Sequence, residues 1–182
     1  MIHKNSTVFK KTGWRQYEMV NPINLKDGDT VRGFNPKTLK YEEIKIMSIL
    51  KVSAQRVLLR MSSLENIVIS TESYLASSNR FWCYKDLTNR KAFKVLKKDP
   101  TIFGANTFTP YILTVTAEHN DIFYDIRTDS ECPVLVDNFL QYFKSTESGK
   151  YGFETEINGS ECITQSLDAE QRTIRVPEES ES

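Results

Sequence analysis

Few residues in this sequence carry the chemistry that catalysis or metal binding requires, and their spacing limits what they can do. Three cysteines, Cys83, Cys132 and Cys162, stand far apart with no Cys-x-x-Cys pair. Such a set is neither a zinc knuckle nor a disulfide framework, and it reads as buried thiols. Two histidines, His3 and His119, leave little for imidazole metal sites or for a nucleophile–histidine pair. Asp27-Gly28-Asp29, taken with Asp86 or Asp99, offers carboxylates to a cation. Gly-Asp sequences are ordinary turn chemistry, however, and no EF-hand or phosphate-binding glycine pattern accompanies them. We therefore expect no metal and no cofactor. One basic concentration, Arg80, Arg90, Lys91, Lys94, Lys97 and Lys98, is interleaved with Phe81, Trp82 and Phe93. That mixture stacks and neutralises single-stranded nucleic acid. With alternating side-chain directions, Lys91 and Lys97 share one face and Lys94 and Lys98 the other. The patch splits, and a solvated strand or turn accounts for it better than a nucleic-acid partner.

The rest of the chain must supply the elements that position these groups. Its 182 residues suit one domain, and a hydrophobic share of 39% with 11% aromatics suffices for a packed core. Lys plus Arg and Asp plus Glu are each 24, so no net basic charge calls for nucleic acid or an anionic membrane. No apolar run approaches the ~20 residues of a membrane helix. The start, MIHKNSTVFKK, has no apolar stretch of signal-peptide type. The expected address is the cytoplasm.

Long stretches alternate in period two between short turns. LKYEEIKIMSILKVS could pass for a helix over a few residues, but RVLLRMSS and NIVISTESYLA are short and β-branched. They read as a hairpin about the connection LEN at 64–66. An aromatic strand through Phe81, Trp82 and Tyr84 follows, then AFKVL, then a loop punctuated by Pro100, Gly104 and Pro110. YILTVTAEHNDIFYDIRT reads as a second hairpin with Glu118-His119-Asn120-Asp121 at its tip. In PVLVDNFLQYF, Asp137-Asn138 suits a two-residue type I′ turn, because both residue types tolerate positive φ. Residues 144–165 suggest a further hairpin around Asn158-Gly159. Residues 166–182 are polar and end in PEESES, a composition that does not support a core. The sum is an all-β fold of short antiparallel strands.

Three stretches, in order, carry a resemblance: INLKDGDTVRGFNPKTLKYEEIKI, IVISTESYLASSNRFWCYKDL and FYDIRTDSECPVLVDNFLQYF. Together they resemble Hint domains, the intein and hedgehog autoprocessing family, over residues 6–143. The resemblance implies a compact Hint-like β domain at 1–143, with 144–165 as an added hairpin and 166–182 as a flexible acidic tail.

It also implies a chemistry with four requirements. A Cys or Ser starts the module and takes over the preceding acyl group as an ester or thioester. A histidine in Thr-x-x-His moves the proton at the scissile amide. A terminal Asn, helped by a preceding His, cyclises to cut the other junction. The strands must hold these groups in contact, since about 1 Å of misplacement can cost two orders of magnitude.

This sequence departs from the pattern at nearly every position. Spacing back from Gly28-Asp29 places the nucleophile near Ser6, with no cysteine before Cys83. Thr71 matches the Thr of Thr-x-x-His, but Tyr74 stands at the histidine. The terminal His-Asn falls on Tyr142 and Phe143. A phenol with a pKa of about 10 does not do the work of an imidazole near 6.5, and Phe143 has no amide to cyclise. Cys132 falls near a position that is often a catalytic His or Asp. Ser6 with His119 as base would be a relocated version, but nothing in the sequence brings the two together.

The leading expectation is a catalytically inactive Hint-like structural or interaction module, working with protein partners in a large assembly such as a virus particle. Tyr142, Phe143, Tyr151 and Phe153 are the expected partner surface. A self-cleaving or splicing protein is the first alternative, and a single-stranded nucleic acid binder using the region from Arg80 to Lys98 is the second.

Overall fold

A computed structural model describes residues 1–77, 80–82, 84, 87, 90–95, 107–146 and 174–175. The elements in chain order are β1 (Ile2–His3), β2 (Val8–Gly13), β3 (Gln16–Val20), a 3-10 turn (Pro22–Asn24), β4 (Thr30–Asn35), β5 (Lys40–Met61), β6 (Asn66–Ser70) and β7 (Tyr74–Ser77). Then come β8 (Arg80–Trp82), β9 (Lys94–Val95), β10 (Thr107–Phe108), β11 (Ile112–Thr128), β12 (Val134–Val136), β13 (Phe139–Tyr142), β14 (Lys144–Ser145) and β15 (Ile174–Arg175). The described chain is all-β, as its alternation predicts. Among the described residues no helix is long and apolar enough to cross a membrane.

One strand organises the rest. β5 pairs with β4 over its first residues, Lys40 to Lys45, and with β11 from Ile46 to Met61, so it passes from one sheet into the other. Its buried side chains record the passage. Ile44, Ile46, Val52 and Ala54 point inward at even positions, then Val57, Leu59 and Met61 at odd ones. A strand alternates its faces, so β5 is covered on opposite sides at its two ends. The stretch that could pass for a helix is therefore strand throughout.

β11 corrects the expectation of a hairpin at Glu118-His119-Asn120-Asp121. It continues through these residues as one 17-residue strand antiparallel to β5, with an irregularity between Ala117 and Asn120. The polar tetrad mimics a turn, but β5 offers an unbroken partner, and a bulge absorbs the extra residue without reversing the chain. Gln55 Nε2 donates to the Glu118 carbonyl at 3.1 Å across the bulge.

Local turn chemistry behaves as read. Asp137 and Asn138 take φ of 51° and 67° between β12 and β13, with Val136 opposite Phe139. The Asp137 carboxylate also accepts from the Thr7 N–H at 2.9 Å, which ties this turn to the N-terminal strands. The β5–β6 connection is the expected hairpin, with Leu64 at φ 66°. At Gly33 a side chain has no room: an added Cβ would overlap Ile44 and lie 2.6 Å from the Pro133 carbonyl. That closeness lets β12 lie against β4.

Past Phe143 the chain continues as β14, parallel to β11 with Thr128 opposite Ser145. The remainder of the expected added hairpin lies outside the described residues. From the polar tail, β15 pairs with β5 at Val52 and Ser53, a placement its composition does not signal.

Candidate functional site at the turn facing Met1

The turn from β6 to β7 is built by two buried serines. The Ser73 N–H donates to the Ser70 carbonyl at 3.1 Å, and the Ser70 N–H donates to Ser73 Oγ at 3.0 Å. The Glu72 N–H donates to Ser70 Oγ at 3.1 Å, and the Thr71 N–H is held by the Gln55 carbonyl. Ser73 Oγ spends its own proton on the Met1 carbonyl at 3.3 Å. The contact of 3.2 Å between the two hydroxyls therefore has Ser70 as donor. The Thr-x-x-Tyr turn thus faces the first residue of the chain, not Ser6.

Met1 is buried, with its side chain against Val52, Ala54 and Phe123. Burial lowers the pKa of its α-amino group, while the nearby carboxylates of Asp125 and Glu72 oppose the shift. Sequence reasoning missed Met1, Ser70 and Ser73. The signal available was the Thr71 motif itself, whose turn must face whatever strand packs on β6.

Tyr74 and Tyr142 come together: they are register partners in β7 and β13. Both are buried, at 2% and 3% exposure, in a cluster with Phe34, Phe93 and Leu140. Phe143, 2% exposed, turns into a different cluster with Ile2, Val31 and Ile126. Tyr142 and Phe143 are therefore core, which corrects their assignment to a partner surface. Aromatic residues at the end of a strand read alike whether they pack inward or outward, and only the closure of β13 on β7 decides. Tyr151 and Phe153 lie outside the described residues.

Ser6 is buried, and among the described residues no hydrogen bond joins its hydroxyl to a base. Its N–H donates to the His3 carbonyl at 2.9 Å, and its own carbonyl accepts from Asn21 Nδ2 at 3.0 Å. It lines a cavity of about 440 Å³ with His3, Asn5, Arg56 and Asp137, and His119 is not part of that lining. His3 has no free lone pair for Ser6. Its Nδ1 accepts from the Asn5 N–H at 3.3 Å, which leaves Nε2 to donate to Asp121 at 2.8 Å. Burial alone would raise the Asp121 carboxyl. Hydrogen bonds from His3, the Ile122 N–H, Lys4 and Arg56 outweigh it and hold Asp121 well below the usual carboxylate range. This knot of charge fastens β1 to β5 and β11.

Cys132 sits half-buried against the cluster that holds Phe143. Burial pushes its thiol up, which disfavours the nucleophilic thiolate. Cys83 and Cys162 lie outside the described residues.

Several described members of the other candidate sites are engaged in local structure, and Asp86 and Asp99 lie outside the described residues. Asp27 accepts from the Ile49 N–H, and Asp29 accepts from the Lys26 N–H and pairs with Lys10. Among the described residues no group of three or more His, Cys, Asp or Glu is placed to hold a metal ion. In the basic stretch, Lys94 is buried and bound to Glu65 at 2.6 Å, and Lys91 lies over the Tyr111 ring. Lys97 and Lys98 lie outside the described residues.

No protein-family model matches the sequence, and the comparison with curated proteins finds no match. Solved structures do match. A DnaB intein from Synechocystis sp. PCC 6803 aligns with 14% identity and a TM-score of 0.62, over 77% of this chain and 95% of that one. An intein from a hyperthermophile gives 8% identity and a TM-score of 0.61, over 77% and 97%. The DnaX mini intein from Spirulina platensis gives 11% and 0.57, over 76% and 96%. The chain has the Hint fold. At such identities the likeness is one of architecture, and the chemistry has to be read from the residues standing in this Hint fold. Its β6–β7 turn offers two serine hydroxyls already committed to hydrogen bonds, and β7 opens with a buried phenol paired to that of Tyr142.

Proposed function

We propose that this chain is a Hint-fold module that keeps the strands of an autoprocessing domain without its chemistry. It then serves as a structural or interaction component of a larger protein assembly, such as a virus particle. The observation that carries this reading is the buried Tyr74–Tyr142 pair, at the two positions where the resemblance calls for imidazoles. A phenol gives up its proton only near pH 10, so neither residue serves as a proton shuttle at neutral pH. Met1 meets the nearby β6–β7 turn through its backbone carbonyl, and its side chain, packed against Val52, Ala54 and Phe123, carries no thiol or hydroxyl to accept an acyl group. Ser6, the other candidate nucleophile, has the ring of His3 nearby with both nitrogens engaged.

Intact-mass measurement of the purified chain tests the reading. Prolonged incubation at neutral pH, with and without an added thiol or hydroxylamine, should leave one species. A defined fragment, or an adduct at a single peptide bond, would overturn it.

A further inference from the structure

One sheet face holds an arginine that has no hydrogen bond or ion pair among the described residues. In β4, Val31 packs into one core cluster, and Arg32 points to the opposite side of the sheet, where Phe34 farther along the strand is buried in a second cluster with Phe9 and Tyr41 against it. Its register partner in β5 is Glu43, the obvious carboxylate for it. Glu43 is taken elsewhere: its Oε1 accepts from Lys11 Nζ at 2.7 Å and from the Tyr17 hydroxyl at 3.1 Å. The Arg32 guanidinium lies between two rings, with Cζ 4.4 Å from the Tyr17 centroid and 4.1 Å from that of Tyr41. It makes no hydrogen bond or ion pair among the described residues, and its Nε is buried without a partner. Two aromatic rings thus hold the planar fork rigid and partly dry while its donors stay unspent, the arrangement in which a bidentate acceptor gains most.

The surroundings select the acceptor. Lys45 shares this face through its register with Thr30 and has no ion pair among the described residues. The one carboxylate on the face, Glu43, is already neutralised by Lys11. Met19, opposite the half-buried Phe9, extends the face on one side of Tyr17, and the β2–β3 tip lies on the other. There Trp14 stands 79% exposed with Arg15 over its ring. Arg, Tyr, Trp and Met are the residues that dominate protein–protein contacts. Bases would need open ring faces, and Arg32 already occupies one face each of Tyr17 and Tyr41.

We propose that the patch formed by Tyr17, Met19, Arg32 and Lys45 on β3, β4 and the start of β5 docks an acidic protein segment, with Arg32 taking a carboxylate bidentately. The inference deepens the interaction-module reading and rests on it for purpose, but on none of the residues around Met1. A chain that cleaved itself would overturn that reading while leaving the binding result intact.

The test is an NMR titration of the full chain with a short synthetic peptide alternating glutamate and leucine. The lysine–leucine counterpart and a thymidine oligonucleotide form the other arms. The glutamate peptide should shift the Arg32 side-chain N–H and the Tyr17 and Tyr41 rings, with affinity falling as salt rises. Arg32→Gln should weaken it about tenfold, and Arg32→Lys should recover only part because the fork is lost. Lys37→Gln, in the β4–β5 turn, should leave affinity unchanged. The peptide titration of the unmutated chain carries the test even if a variant fails to fold. Unmoved Arg32 and tyrosine signals, equal binding by Arg32→Gln, or stronger shifts with the oligonucleotide would each overturn the proposal.

Discussion

Tyr74 and Tyr142 lie directly opposite each other across β7 and β13, both buried beside Phe34. Two strands far apart in sequence therefore close on a pair of phenols. If this pair is structural, it contributes to stability and not to chemistry. Tyr142→Ala should lower unfolding free energy by about 3 to 5 kcal/mol, the usual cost of deleting a large buried ring, as read by urea denaturation. Replacing both tyrosines with histidine should destabilise the chain without producing cleavage, because Met1 still offers no nucleophile. A cleavage product from that double variant would place the missing chemistry in the proton shuttle alone.

Gly33 should tolerate no side chain. Gly33→Ala drives a methyl into Ile44 and the Pro133 carbonyl, and overpacking of this kind costs about 1 to 3 kcal/mol. A matching loss in urea stability is expected. Unchanged stability would mean that β12 can move off β4 freely.

Leu64 should improve on replacement. It is 83% exposed and held at φ 66°, a conformation a leucine adopts only at a cost. Leu64→Gly should raise stability by about 1 kcal/mol, measured as a higher denaturation midpoint. The gain should come with less tendency to associate, since an exposed apolar side chain is removed.

Acid should loosen the N-terminal strand through Asp121. Its carboxyl is depressed in the folded chain, so its contribution is present above the unfolded pKa of about 4 and fades as pH falls below that value. Asp121→Asn should flatten this acid limb in urea melts taken across pH. It should also cost about 3 kcal/mol at neutral pH, because Arg56, Lys4 and His3 are left with a neutral amide that has one acceptor oxygen in place of two charged ones. An unchanged acid limb would assign the pH dependence to other carboxylates.

Much of the chain was legible from short-range chemistry. Asp137 and Asn138 announce their turn because positive φ is a property of those residue types, decided within four residues of chain. The end of β5 and β6 announce their hairpin by short β-branched runs, and the ordered set of Gly-Asp, Thr-x-x-Tyr and closing hairpin carries the Hint resemblance. Where the reading failed, the deciding contact was distant. Glu118 to Asp121 look like a hairpin tip until β5 lies alongside. Tyr142 and Phe143 look like a surface until β7 covers one and β4 and β11 enclose the other.

The sequence by itself determined the all-β class and the tight turns. Each depends on residue type and near neighbours. Only the tertiary structure decided that Met1 faces the turn at Ser70 and Ser73, that His3 spends both nitrogens, and that Glu43 abandons Arg32 for Lys11 and Tyr17. Those outcomes come from competition among groups on different strands for the same few partners. No local pattern reveals the winner of that competition until the sheets have closed.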